Sequence, residues 1–158
     1  MFRELTRSKQ QLSREECIRL LVTLKRGVLS VLGDDGYPYG MPLNHYYCEE
    51  DGRIYFHSGR HGHKIDALRR CGKVSYCVYD EGYRDEGDWA LHINSVIVFG
   101  SIEFIEDREE IYDISARLSR KFTDDENYLR HELEQSGPAT LMFAITLEHI
   151  CGKRVTES

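Results

Sequence analysis

Val28-Leu-Ser-Val-Leu-Gly-Asp-Asp-Gly-Tyr-Pro-Tyr-Gly-Met-Pro-Leu-Asn-His-Tyr-Tyr47 decides how this chain folds. Val28–Leu32 is a β-branched and aliphatic run, and Asp34-Asp-Gly36 is a hairpin turn signal. Tyr37 to Tyr47 then reads as a returning strand. Pro38 and Pro42 each remove a ladder donor, so this strand belongs at an edge, a bend or a bulge. Glu49-Glu-Asp-Gly52 gives a second turn and Arg53–His57 a third strand. Two successive hairpins set an antiparallel sheet.

Outward from this region the same periodicities continue. Lys73–Tyr79 and Ile93–Phe104 read as strands. So does Ala139–Ile150, with Leu141, Phe143, Ile145 and Leu147 on one face. Ser13-Arg-Glu-Glu16 has capping-box spacing and opens a helix with Cys17, Leu20, Leu21 and Leu24 on one side, ended by Gly27. Gly62–Arg70 is a short helix, and Asp107 begins another with Ile111, Ile114, Leu118 and Phe122 in a stripe. Thr123–Gly137 is acidic and polar, a short helix with loops at most, and Asp80–His92 is a long loop. Six strands and three helices, hairpin-linked, describe a mainly β, antiparallel small barrel with flanking helices rather than a doubly wound sheet.

Residues 1–158 suit one domain with a single core. A net charge of −6 argues against a broad nucleic-acid face. No apolar run reaches the ~20 residues of a membrane span, and the first residues lack a signal-peptide core. The expectation is a cytoplasmic protein with neither nucleic-acid nor membrane partners. The five cysteines form no Cys-x-x-Cys pair, so neither a disulfide framework nor a zinc ribbon is implied.

The stretch most charged with chemistry is Tyr55-Phe-His-Ser-Gly-Arg-His-Gly-His-Lys-Ile-Asp-Ala-Leu68. A strand runs into a loop rich in glycine and basic residues, and a helix follows at Gly62. The first amides of a helix have no internal partner, and its dipole favours an anion there. Lys64 adds a full charge. The stretch matches neither the P-loop nor the Gly-x-Gly-x-x-Gly pattern. The alternative is a glycine–histidine loop that binds nothing. A metal or haem site on His57, His61 and His63, with His45 nearby, is a further alternative, without a carboxylate or thiolate at ligand spacing.

The order of motifs carries a resemblance. Gly36-Tyr-Pro-Tyr-Gly-Met-Pro-Leu-Asn44 is followed by Ile54-Tyr-Phe-His-Ser58, by Gly62-His-Lys64 and by Ser95-Val-Ile-Val-Phe-Gly100. Over residues 1 to 150 the chain resembles the flavin-nucleotide-binding, nitroimidazole-resistance-related branch of the pyridoxamine 5'-phosphate oxidase-like split-barrel superfamily. The resemblance implies a six-stranded antiparallel split β-barrel, the FMN-binding split barrel, that forms a homodimer with FMN at its interface. It implies that Met41, Pro42, Leu43 and Asn44 run along the flavin ring. His57 and Ser58 would lie by the ribityl chain and phosphate, and Gly62, His63 and Lys64 would close on the phosphate. Ser95 and Val96 would approach from a barrel strand, in the same subunit or its partner. Gly62-His-Lys64 departs from the Ser-Arg-Lys type signature of the oxidases themselves, and no counterpart of their substrate-phosphate clamp is found. Pyridoxamine phosphate is therefore not the expected substrate.

The expected function is an FMN-dependent oxidoreductase that passes electrons from NAD(P)H to a small acceptor, nitroaromatics included. Tyr37, Tyr39, Tyr46 and Trp89 are candidates to stack on it, against the commoner fate of aromatics as core or interface. A non-catalytic flavin carrier or redox sensor is the alternative. Asp34, Asp35, Glu49 and Glu50 read as solvated turn charges.

Overall fold

The structure is a computed structural model that describes residues 1–157. Ser13 opens helix α1 (Arg14–Thr23): its hydroxyl accepts from the Glu16 amide at 3.1 Å while the Glu16 carboxylate takes the Ser13 amide. The helix stops at Thr23, earlier than Gly27 would have it. Gly27 lies instead in strand β1 (Arg26–Leu32), where a Cβ would collide with the Cys77 carbonyl and the Tyr76 ring. β2 (Pro38–Asn44) returns after a turn in which Asp35 and Gly36 take positive φ. β3 (Tyr46–Cys48), β4 (Arg53–Ser58), α2 (His63–Arg70), β5 (Lys73–Tyr79) and β6 (Leu91–Ile105) follow. Then come α3 (Arg108–Ser119), α4 (Glu126–Ser136) and β7 (Leu141–Glu157).

All seven strands join one antiparallel sheet in the order β2-β1-β5-β6-β7-β4-β3. The expected six become seven because the run 37–47 is interrupted at His45. The interruption explains the closure. β2 and β3 occupy opposite ends of the sheet, yet only His45 separates them in the chain. The sheet must curl until its two edges meet, and the seam of the barrel lies at Asn44-His45-Tyr46.

Inside the barrel Phe56 stacks on Phe143 at 5.2 Å and meets Tyr76 edge-on at 4.9 Å. Leu12, Cys17 and Leu21 from the N-terminal segment and Ile65, Ala67 and Leu68 of α2 join this core. α3 lies on the outer face, packing Ile111 and Ile114 against Tyr55, Met142 and Ala144. The segment 123–137, expected to hold a short helix at most, carries the full helix α4, capped by Asp125 and buried through Leu129 and Leu133. β7 extends to Glu157 because its second half pairs with β6 as a long ribbon. Among the described residues no helix is long and apolar enough to cross a membrane.

His45 is wholly buried at the seam. Its Nε2 lies 2.7 Å from the Leu21 carbonyl, which only accepts, so Nε2 carries the proton. In the neutral ring Nδ1 then accepts from the Tyr76 hydroxyl, also at 2.7 Å, a proton for which the Leu43 carbonyl competes at 3.0 Å. Lys121 completes the junction by donating to the Leu24 and His45 carbonyls at 2.7 and 2.8 Å. Burial first, and the Lys121 charge second, push the His45 pKa down to about 4.

The unfolded chain, titrating at the ordinary 6.5, binds the extra proton that the native state refuses. The resulting stability is fully present above pH 6.5 and is lost as the pH falls towards 4, about 3 kcal/mol in all. Urea unfolding of wild type and His45→Gln across this window is expected to show a steeper acid loss in wild type. Parallel curves would remove His45 as the cause.

Candidate functional site

The seam makes a cleft. The β3–β4 ladder pairs Tyr46 with Tyr55, and two more residues of the same register set Asn44 across from His57. Both side chains are exposed. With Pro42, Leu43 and Arg26 they line a cavity of about 340 Å³. Met41 and Leu43 alternate inward and lean on the core, so Pro42 and Asn44 present side chains to the cleft. Among the described residues no strand pairs with the outer edge of β2. Its outward amides and carbonyls are thus available to a bound molecule, as Pro38 and Pro42 foretell.

The other wall is the passage from β4 to α2. Gly62 is the N-cap of α2, at φ +129° and ψ 174°, a conformation essentially reserved for glycine. α1, α3 and α4 begin with side-chain caps from Ser13, Asp107 and Asp125. α2 has none, and a Cβ at Gly62 would meet nothing within 4 Å. Its first turn is thus open to a ligand that supplies acceptors. Lys64 is half-buried, and burial lowers its pKa. Surrounding protein, and then the Lys64 charge, hold the His57 pKa below its ordinary value. The two side chains are close enough for the lysine charge to act on the imidazole.

The remaining expected site residues are placed as follows. Ser58 is half-buried at the end of β4. The His63 ring turns away from the cleft. It stacks on Tyr39 at 4.0 Å, with Nε2 3.7 Å from the Asp34 carboxylate, which also takes Arg70 at 2.9 Å. Asp34 therefore holds the β1–β2 turn to α2 rather than being merely solvated. Glu50 likewise bonds Arg117 of α3 at 3.0 Å. The Val96 side chain is buried in the barrel core, while Ser95 faces outward on β6. From Pro42, Ser95 is three strands away, roughly 14 Å at ordinary strand spacing.

Among the aromatic candidates, Trp89 and Tyr37 stand free on the surface, Tyr39 is covered by His63, and Tyr46 accepts from Arg117. Arg26 joins the cleft because the β1–β2 hairpin register pairs it with Asn44.

The family model described as pyridoxamine 5'-phosphate oxidase matches residues 13–154. Among solved structures, a candidate 5-nitroimidazole antibiotic resistance protein from Bacteroides thetaiotaomicron VPI-5482 is 21% identical with a TM-score of 0.74, over 92% of this chain and 87% of that one. A FAD-binding protein from Mesorhizobium loti is 25% identical with a TM-score of 0.65, over 92% and 97% of the two chains. The flavocytochrome Anf3 from Azotobacter vinelandii is 18% identical with a TM-score of 0.77, over 98% and 73%. Among curated proteins no sequence matches.

Gly62→Ala is expected to destabilise the protein by about 1–3 kcal/mol in urea unfolding, from backbone strain alone, because its new methyl group meets open space. An unchanged midpoint would mean that α2 can start in an ordinary conformation.

Proposed function

The chain belongs to the pyridoxamine 5'-phosphate oxidase family, and on that premise we propose that it binds FMN in the seam cleft as an oxidoreductase. Its electrons would come from NAD(P)H and pass to a small acceptor, nitroaromatics among them. The observation that carries the reading is the uncapped start of α2 beside Lys64 and His57, at the edge of the open strand β2. A phosphate has the acceptors that this helix start lacks. A planar ring with a polar rim suits the exposed edge of Met41–Asn44.

When bound, the flavin supplies the redox chemistry; the chain supplies position and charge. Backbone amides at 63–65 and the Lys64 ammonium bind the phosphate. His57, its pKa lowered by the surrounding protein and by the Lys64 charge, offers ring nitrogens for hydrogen bonding beside that charge. Pro42 and Asn44 orient the ring against the seam, and His45 with Tyr76 keeps that strand from sliding.

A homodimer completes the reading. Pro42, Val28, Cys77, Ile97 and Cys151 lie side by side across five strands on the outer face. Phe99 lies beside this row, and Ile97 and Phe99 are 39% and 37% exposed. An uncharged strip of this extent, continuous with the cleft through Pro42, supports burial against a second copy. Ser95 on the same face is too far from its own cleft but would border the other subunit's. The name of the Mesorhizobium relative favours a second reading, in which FAD takes the place of FMN.

Purified protein given excess FMN and then desalted is expected to keep flavin absorption at about one per chain, with FMN identified by mass. Colourless protein would overturn the reading. Lys64→Ala is expected to weaken FMN binding by about 1–3 kcal/mol, as for a lost charge-assisted hydrogen bond, and unchanged affinity on titration would remove Lys64 from the site. Ile97→Lys is expected to sediment as a monomer and to lose flavin. A variant dimer that still holds flavin would place the interface elsewhere.

A further inference from the structure

His57 borders more than the flavin cleft. On its far side a cavity of about 180 Å³ runs under α4 against Ser115, Ser119 and Glu132. A second, of about 350 Å³, opens between Asn44, Phe122, Tyr128 and the same Ser119 and Glu132. His57, Ser119 and Glu132 line both, so the two spaces are neighbours along these side chains, and the larger reaches Asn44 at the seam.

The chemistry of this wall is one-sided. Glu132 forms no salt bridge or side-chain hydrogen bond among the described residues, and no lysine or arginine lines either cavity. Ser119 adds a hydroxyl and Tyr128 an aromatic ring at the mouth, while the Phe122 ring is taken by the Lys25 ammonium, 5.6 Å from its centre. Ser115 is an independent sign. It is 9% exposed, lines the smaller cavity, and its hydroxyl has no hydrogen-bond partner. A buried hydroxyl is normally satisfied, and leaving one unpaired costs free energy that a ligand would recover.

We propose that the α3–α4 pocket binds a small planar molecule carrying a positive charge on or beside its ring, held by Glu132 and the Ser115 and Ser119 hydroxyls, which line one cavity together. The carboxylate selects cations, the hydroxyls take ring substituents, and anions are rejected. That this molecule is the electron acceptor rests on the flavin reading above; that it binds does not.

The test is calorimetric titration of flavin-free and FMN-treated protein with three one-ring probes of like shape: 1-methylnicotinamide, nicotinamide and nicotinate. The cation is expected to bind about tenfold or more tightly than the anion, the scale of one charge-assisted contact. Glu132→Gln, at an exposed helix position, is expected to erase that preference, and Ser115→Ala to weaken the cation several-fold without loss of stability. Equal affinities, no binding of any probe, or a preference that survives Glu132→Gln would each overturn the proposal. A charge preference in protein that never takes up FMN would sustain the pocket and sink the flavin reading. FMN uptake without the preference would do the reverse.

Discussion

One imidazole in a dry core holds the geometry of this molecule together. His45 donates to the Leu21 carbonyl and accepts from the Tyr76 hydroxyl, both at 2.7 Å, at the single residue between the two edge strands. A neutral histidine there gives the Leu21 carbonyl its donor and links it to the Tyr76 hydroxyl, which also reaches the Leu43 carbonyl at 3.0 Å, and burial keeps it neutral. A shorter side chain would leave the Leu21 carbonyl without its donor, and a charged one would bury an unpaired charge. Since the side-chain period of a strand is two, a slip of one residue would turn Asn44 inward and Leu43 out.

From that fixed point the cleft follows. Asn44 stands opposite His57 because the register of β3 with β4 is set by Tyr46 and Tyr55. The Tyr55 hydroxyl is itself held by Asp51 at 2.5 Å and Glu110 at 3.2 Å. α2 then starts where β4 ends, with a glycine that only a strained backbone requires and without the cap that the other helices possess. The outer face is divided between two uses. α3 covers the β3–β4–β7 half with a second apolar cluster, while the β2–β1–β5–β6 half keeps Ile97 exposed and Phe99 only partly covered, by Phe2 at 5.4 Å.

Much of this was legible in the sequence, for local reasons. The Ser13 capping box, the Asp34–Gly36 turn, the Asp107 cap and the alternation along β7 are short-range signals, and each produces its element. The prolines of β2 mark an edge strand, which is where the sheet places it. The histidine that splits the strand was not legible, because nothing local distinguishes a buried junction histidine from a surface one. Nor was α4: its polar sequence buries only Leu129 and Leu133, too thin a stripe to separate from a loop. In the site, the α2 start and the β2 edge were readable as backbone features. The direction of the His63 side chain was not, since Tyr39 and Asp34 capture it across the sheet edge. Arg26 enters through its pairing with Asn44 in the β1–β2 hairpin, and Glu132 through the docking of α4.

The central claim is that the seam between β2 and the start of α2 holds a flavin nucleotide shared by two copies of the chain. A crystal structure of the protein grown with FMN tests it most directly. Phosphate oxygens within hydrogen-bond distance of the 63–65 amides and Lys64 Nζ, with the ring along Met41–Asn44 and a second copy seated on Ile97 and Phe99, would agree with the claim. Flavin bound away from the start of α2, or a seam closed by protein with no ring beside Asn44, would contradict it.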